Sequence, residues 1–174
     1  RVLIVGLQLS CVAKKFFNQV FTKYIELNYQ TWVKPTTGNK PIMSHTLLKE
    51  KLFPLVQSNE NLAFILIDNL RFDQWKTIQP LIEEVYRLES EDLYYAILPT
   101  VTQFARNALF SGLMPSEIAK KYPQWWLNDW DEGTKNQYEE ELLGENLKRY
   151  GRDIKFSFNK VLNLNVGKKL ADSV

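Results

Sequence analysis

Asp68 and Thr102 are the two side chains whose types and placement point to chemistry. Asp68 ends the continuous apolar run Leu62-Ala-Phe-Ile-Leu-Ile67. Thr102 closes Pro99-Thr-Val-Thr102, which follows a second run, Leu93-Tyr-Tyr-Ala-Ile-Leu98, and heads a helical pattern. Both runs read as strands, so each group stands at a strand's carboxyl end, where the loops of an open α/β sheet gather ligands. A hydroxyl at a helix start meets unpaired backbone N–H groups and the positive end of the helix dipole, which suit an anion such as phosphate. A carboxylate on the neighbouring strand could hold a divalent cation that lowers the hydroxyl's pKa and makes it a nucleophile. The pair points to metal-assisted phosphoryl transfer. Taken singly, each residue is more simply a helix cap; their joint placement favours chemistry.

The elements that would position them follow from periodicity. Val12, Phe16, Val20 and Tyr24, with Phe17, Phe21 and Ile25 one step on, predict an amphipathic helix over 11–32. The segment 35–41 reads as a loop, and Ser44 as the N-cap of a helix over 45–56 with Leu47, Leu48, Leu52 and Phe53 inward. A polar break at 57–61 leads into the main fold. After the strand at 62–67, Trp75, Ile78, Leu81, Ile82 and Val85 mark a helix that Pro80 should kink or divide. The strand at 93–98 is followed by a short helix over 103–110, closed by Gly112 and Pro115. Tyr138, Leu142, Leu143 and Leu147 mark a further helix ended by Gly151, and 153–158 reads as a third strand. Strand–helix alternation of this kind predicts an α/β fold, a mostly parallel sheet flanked by helices. A helical connector (1–57, with 1–10 unassigned) precedes the main fold (58–174).

Composition bounds the rest. The 174 residues are 45% hydrophobic and 24% charged, a globular composition for one domain or a small domain with an appendage. Lys+Arg 22 against Asp+Glu 20 gives a net charge of +2, which argues against duplex-DNA binding by phosphate neutralisation. The single Cys11 excludes an internal disulfide and reads as buried. No apolar run reaches the ~18 residues of a membrane span. The uncharged stretch 2–13 reads as a buried strand or helix rather than a targeting segment. Trp125, Trp126 and Trp130 read as packing residues, and Asp129-Trp-Asp-Glu132 and Glu139-Glu-Glu141 as solvated charges. Lys168-Lys169 reads as a surface pair, His45 as a helix residue rather than a ligand, and Arg71 as one half of a structural ion pair.

Two stretches together resemble the start of a PglZ domain, of the alkaline phosphatase superfamily. They are Leu66-Ile-Asp68-Asn-Leu-Arg71-Phe-Asp73-Gln-Trp75 and Ile97-Leu-Pro99-Thr-Val-Thr102-Gln-Phe-Ala-Arg106-Asn107-Ala-Leu-Phe-Ser-Gly112-Leu-Met-Pro115. The version is similar to the output domain of PorX-type response regulators of bacterial two-component signalling, associated with type IX secretion. The resemblance runs from about residue 44 to the end of the chain. It implies a cytoplasmic, zinc-dependent phosphoesterase, with phosphodiesters the favoured class, and a phosphoester or nucleotide-type substrate. Asp68 is then a metal ligand and Thr102 the nucleophile, while the amides of Thr102 and Gln103 face the phosphoryl oxygens. Arg106 and Asn107 match the same pattern as candidate phosphate contacts. A homodimer is compatible with this reading, and a receiver domain is expected upstream.

The departure from the family pattern is in the metal ligands. Two zinc ions need roughly six to eight protein ligands from Asp, Glu, His and Cys. The superfamily takes most of them from later segments, including an Asp-His pair, yet no histidine follows His45. The expectation is therefore the N-terminal portion of the domain, holding one carboxylate and one nucleophile of a larger site. A minimal metal-free version is the other reading. The non-enzymatic alternative is a regulatory module with the same fold that binds a partner or nucleotide.

Overall fold

The computed structural model describes residues 11–34, 40–58, 62–128, 130–151 and 154–172. The readings for 1–10, for the loop at 35–39, for the break at 59–61, for Asp129 and Asp153, and for the burial of the Cys11 side chain lie outside what is described.

Helices α1 (Cys11–Val33), α2 (Phe72–Glu83), α3 (Thr102–Ser111), α4 (Pro115–Lys121), α5 (Glu139–Arg149) and α6 (Leu164–Ala171) follow in chain order. At the centre, α3 lies against α5. Gln103, Asn107, Ala108, Leu109, Phe110 and Ser111 are the buried residues of α3, and Leu142, Asn146 and Leu147 answer from α5. In α5, Glu139, Leu142 and Asn146 recur at intervals of three and four along one face, whereas the five consecutive buried residues from Asn107 to Ser111 mark the second half of α3 as enclosed on all sides. Gly112 ends α3 in the left-handed conformation (φ 66°), and Pro115 opens α4 where its missing N–H costs nothing. Ile118 of α4, Leu47, Leu48 and Phe53 complete this core. A second cluster, Trp32, Met43, Ile97 and Ala108, joins the end of α1 to α3. No helix among the described residues is long and apolar enough to cross a membrane.

Among the described residues the expected α/β sheet is absent: the regular structure is helical, and the one β-type contact is a parallel bridge between Met43 and Tyr95. There Ser44 N–H donates to Tyr95 O at 3.1 Å and Tyr95 N–H to Ile42 O at 2.8 Å. The segments 62–67, 93–98 and 154–158 run without regular structure and form no ladder. Their composition suits strands covered on both faces, but strand pairing is a contact between distant segments, and local sequence does not supply it. Here Ile65 and Leu93 stay 59% and 71% exposed.

Two helical expectations change as well. The span 45–56 holds turns, a π-helical turn (Leu48–Leu52) and a 3₁₀ turn (Leu55–Ser58). Pro54 lacks an amide donor and so cannot extend the helical hydrogen bonding, although Phe53 before it keeps helical backbone angles (φ −62°, ψ −32°). Ser44 is not an N-cap; its buried hydroxyl accepts from Ile97 N–H at 3.2 Å. Of the two outcomes expected at Pro80, division does not occur, since α2 continues through it to Glu83.

Candidate active site

The site begins at the first turn of α3. Val101 is the N-cap, so Thr102 occupies the first helical position and its hydroxyl makes no capping bond. Phe104 and Ala105 donate to Val101 O at 3.0 and 2.9 Å, which are the first helical hydrogen bonds. The N–H groups of Thr102 and Gln103 precede that ladder and have no partner among the described residues. The Thr102 side chain is exposed. Asp68 does not cap α2 either, whose N-cap is Arg71. Arg71 forms a two-pronged ion pair with Asp73 at 3.0 and 2.8 Å, which holds that carboxyl below its usual range.

Arg106, one turn after Thr102, connects the two segments. Its Nη1 donates to Asp68 Oδ2 at 3.3 Å and its Nη2 to Glu139 Oε2 at 2.6 Å. Lys160 Nζ lies 2.9 Å from the same Glu139 oxygen and also donates to Asn136 O. The structure therefore brings Asp68 to the helix that carries Thr102, with a guanidinium between the two carboxylates. Asp68 is 45% exposed and its charge, after burial, helps to raise the phenol pKa of Tyr94.

Gln103 and Asn107 face the other way. Gln103 Nε2 donates to Leu127 O at 2.6 Å, and Asn107 Nδ2 to Lys135 O at 3.1 Å. Asn107 Oδ1 accepts from Asn136 Nδ2 at 3.3 Å. Both side chains fasten the 127–136 segment to α3, so what Gln103 offers at the helix head is its backbone N–H.

Glu139 is the residue that sequence reasoning missed. The acidic triplet reads as solvated charge, yet the Glu139 side chain is 0% exposed while Glu140 and Glu141 are on the surface. A signal was present: Glu139 lies three residues before Leu142 and seven before Asn146, in phase with the buried face of α5. Lys160 carries no comparable mark, because it comes from an irregular segment.

A zinc site needs several convergent donors. Among the described residues no three of His, Cys, Asp and Glu come together to hold a metal ion, and Asp68 meets Arg106 instead. His45 Nδ1 is buried without a partner among the described residues, and burial lowers its pKa. The described residues by themselves do not fit a zinc centre.

Residues 47–174 match the family model described as the BREX system PglZ alkaline phosphatase-like domain. No curated protein matches the chain.

Proposed function

The chain belongs to the PglZ alkaline phosphatase-like family, and from that premise we propose that its α3 head is the phosphoryl-binding part of a phosphoesterase. Domains of this kind typically depend on metal and act on phosphoesters. We further assign the preferred substrate as a phosphodiester and the setting as a cytoplasmic signalling protein of the PorX-like, response-regulator type.

Thr102 is the nucleophile in this proposal. Its exposed hydroxyl stands at the first position of a helix, where the N–H groups of Thr102 and Gln103 are free to bind the non-bridging oxygens. Attack forms the Thr102 Oγ1–phosphorus bond and breaks the ester bond, and the proton lost by the hydroxyl passes to the departing alkoxide. Water then cleaves the phosphothreonine, releasing the phosphate product and restoring the hydroxyl. Arg106, four residues on and therefore on the same side of α3, supplies positive charge beside the group being transferred. Asp68 holds the outer edge of that guanidinium until substrate competes for it. No step is assigned to zinc, because the donors present do not form its site.

The observation that carries this reading is the juxtaposition on one helix turn of a free hydroxyl, two unpaired amides and a guanidinium already seated on Asp68. The test is hydrolysis of a chromogenic phosphodiester by the full-length natural protein and its Thr102→Ala variant. Loss of the nucleophile should cut kcat by at least about two orders of magnitude. Equal rates would remove Thr102 from the role and favour the binding-module alternative.

A further inference from the structure

We propose that Glu139 is a positioning residue for Arg106: its buried carboxylate anchors the inner edge of the guanidinium and leaves the outer edge to meet a phosphoryl group. This rests on the proposal above that Arg106 contacts the substrate.

The two partners of Arg106 differ in kind. Glu139 is fully enclosed, and an isolated carboxylate in that position would pay a heavy desolvation cost. It is tolerated because two cations, Arg106 and Lys160, converge on Oε2 at 2.6 and 2.9 Å. The guanidinium cannot leave without exposing that cost, so its inner Nη2 is fixed. Asp68, by contrast, is 45% exposed and lies at 3.3 Å, the geometry of a weak surface pair. Phosphoryl oxygens can therefore replace Asp68 on Nη1 without disturbing Nη2. One side of the fork is an anchor and the other is exchangeable.

Two orphaned atoms support the same division. Arg106 Nε and Glu139 Oε1 are both buried without a hydrogen-bond partner among the described residues. The pair is thus joined through one donor and one acceptor only. A small turn of the guanidinium that brings Nε to Oε1 would satisfy both, giving a two-pronged seat on Glu139 once Asp68 has been displaced. Lys160 sets the penalty for losing the anchor, because without the Glu139 charge two cations would face each other.

The full-length natural protein tests this by calorimetric binding of inorganic phosphate and by the split of kcat and KM on a chromogenic phosphoester. Glu139→Gln and Arg106→Gln should each weaken phosphate binding and raise KM roughly tenfold, the size of one charge-assisted hydrogen bond. The double variant should bind phosphate no more weakly than Arg106→Gln alone, because Glu139 acts through Arg106. Unchanged phosphate affinity in Glu139→Gln, or losses that multiply in the double variant, would overturn the proposal. If Glu139→Gln does not fold, Glu139→Asp keeps the charge and withdraws the oxygen by one methylene. It should weaken phosphate binding several-fold, and wild-type affinity there overturns the proposal equally. Thr102→Ala separates the two ideas. Full turnover in that variant sinks the nucleophile assignment, while the coupling of Glu139 and Arg106 in phosphate binding would still stand.

Discussion

His45 is the chain's one histidine, and its Nδ1 is enclosed without a partner among the described residues. Burial is the largest influence on it and lowers its pKa; Glu117 nearby acts to raise it and Lys40 to lower it. Since the folded value lies below the unfolded one, the folded state binds fewer protons. His45 thus contributes stability above its unfolded pKa of 6.5, and that contribution is lost as the pH falls toward the lowered value. Thermal unfolding followed from about pH 7 to about pH 5 should show a falling Tm, and His45→Gln should flatten that slope. A slope unchanged by the substitution would assign the acid sensitivity to carboxylates. Residue type told something at this scale: Arg71 forms the structural ion pair expected of it, with Asp73 as the partner. Glu139 was misread because one buried acid in a run of three looks like its solvated neighbours; only its phase with Leu142 distinguishes it.

Helix ends were legible where backbone chemistry alone decides them. Gly112 and Gly151 both adopt φ 66° after a helix, a conformation that other residues reach at a cost. They differ in surroundings. A Cβ on Gly112 would meet Asn146 Oδ1 at 2.6 Å, whereas one on Gly151 would meet nothing within 4 Å. Asn146 is itself committed, donating to Phe110 O at 2.9 Å. Gly151→Ala should cost about 1 kcal/mol from the left-handed backbone alone. Gly112→Ala should cost about 2–3 kcal/mol, because the clash adds to that strain. Denaturant unfolding of the two variants checks the difference, and equal losses would count against the Asn146 contact. The span 45–56 shows the limit of periodicity: Leu47, Leu48, Leu52 and Phe53 have helical spacing, but Pro54 breaks the hydrogen bonding that the spacing presumes.

Across the whole molecule, stability should follow the α3–α5 core rather than the apolar segments around it. Leu142 is wholly buried in that core, while Leu162 is 84% exposed. Leu142→Ala should therefore lower the unfolding free energy by about 3 kcal/mol and Leu162→Ala by less than about 0.5 kcal/mol, read from urea midpoints. Comparable losses would mean that the 154–162 segment is packed more firmly than its exposure indicates. The amino-acid sequence by itself marked α1, α2, α3 and α5, the glycine ends of α3 and α5, and the run from Asp68 to Pro115 that marks the PglZ family; α4 and α6 it left unmarked. The features it marked depend on residues close in the chain, whose spacing and backbone preferences act locally. The tertiary structure alone decided that the apolar runs at 62–67 and 93–98 would form no sheet, and that Glu139 and Lys160 would close around Arg106. Each of those outcomes needs partners tens of residues apart, and no local pattern records which distant segment will meet which.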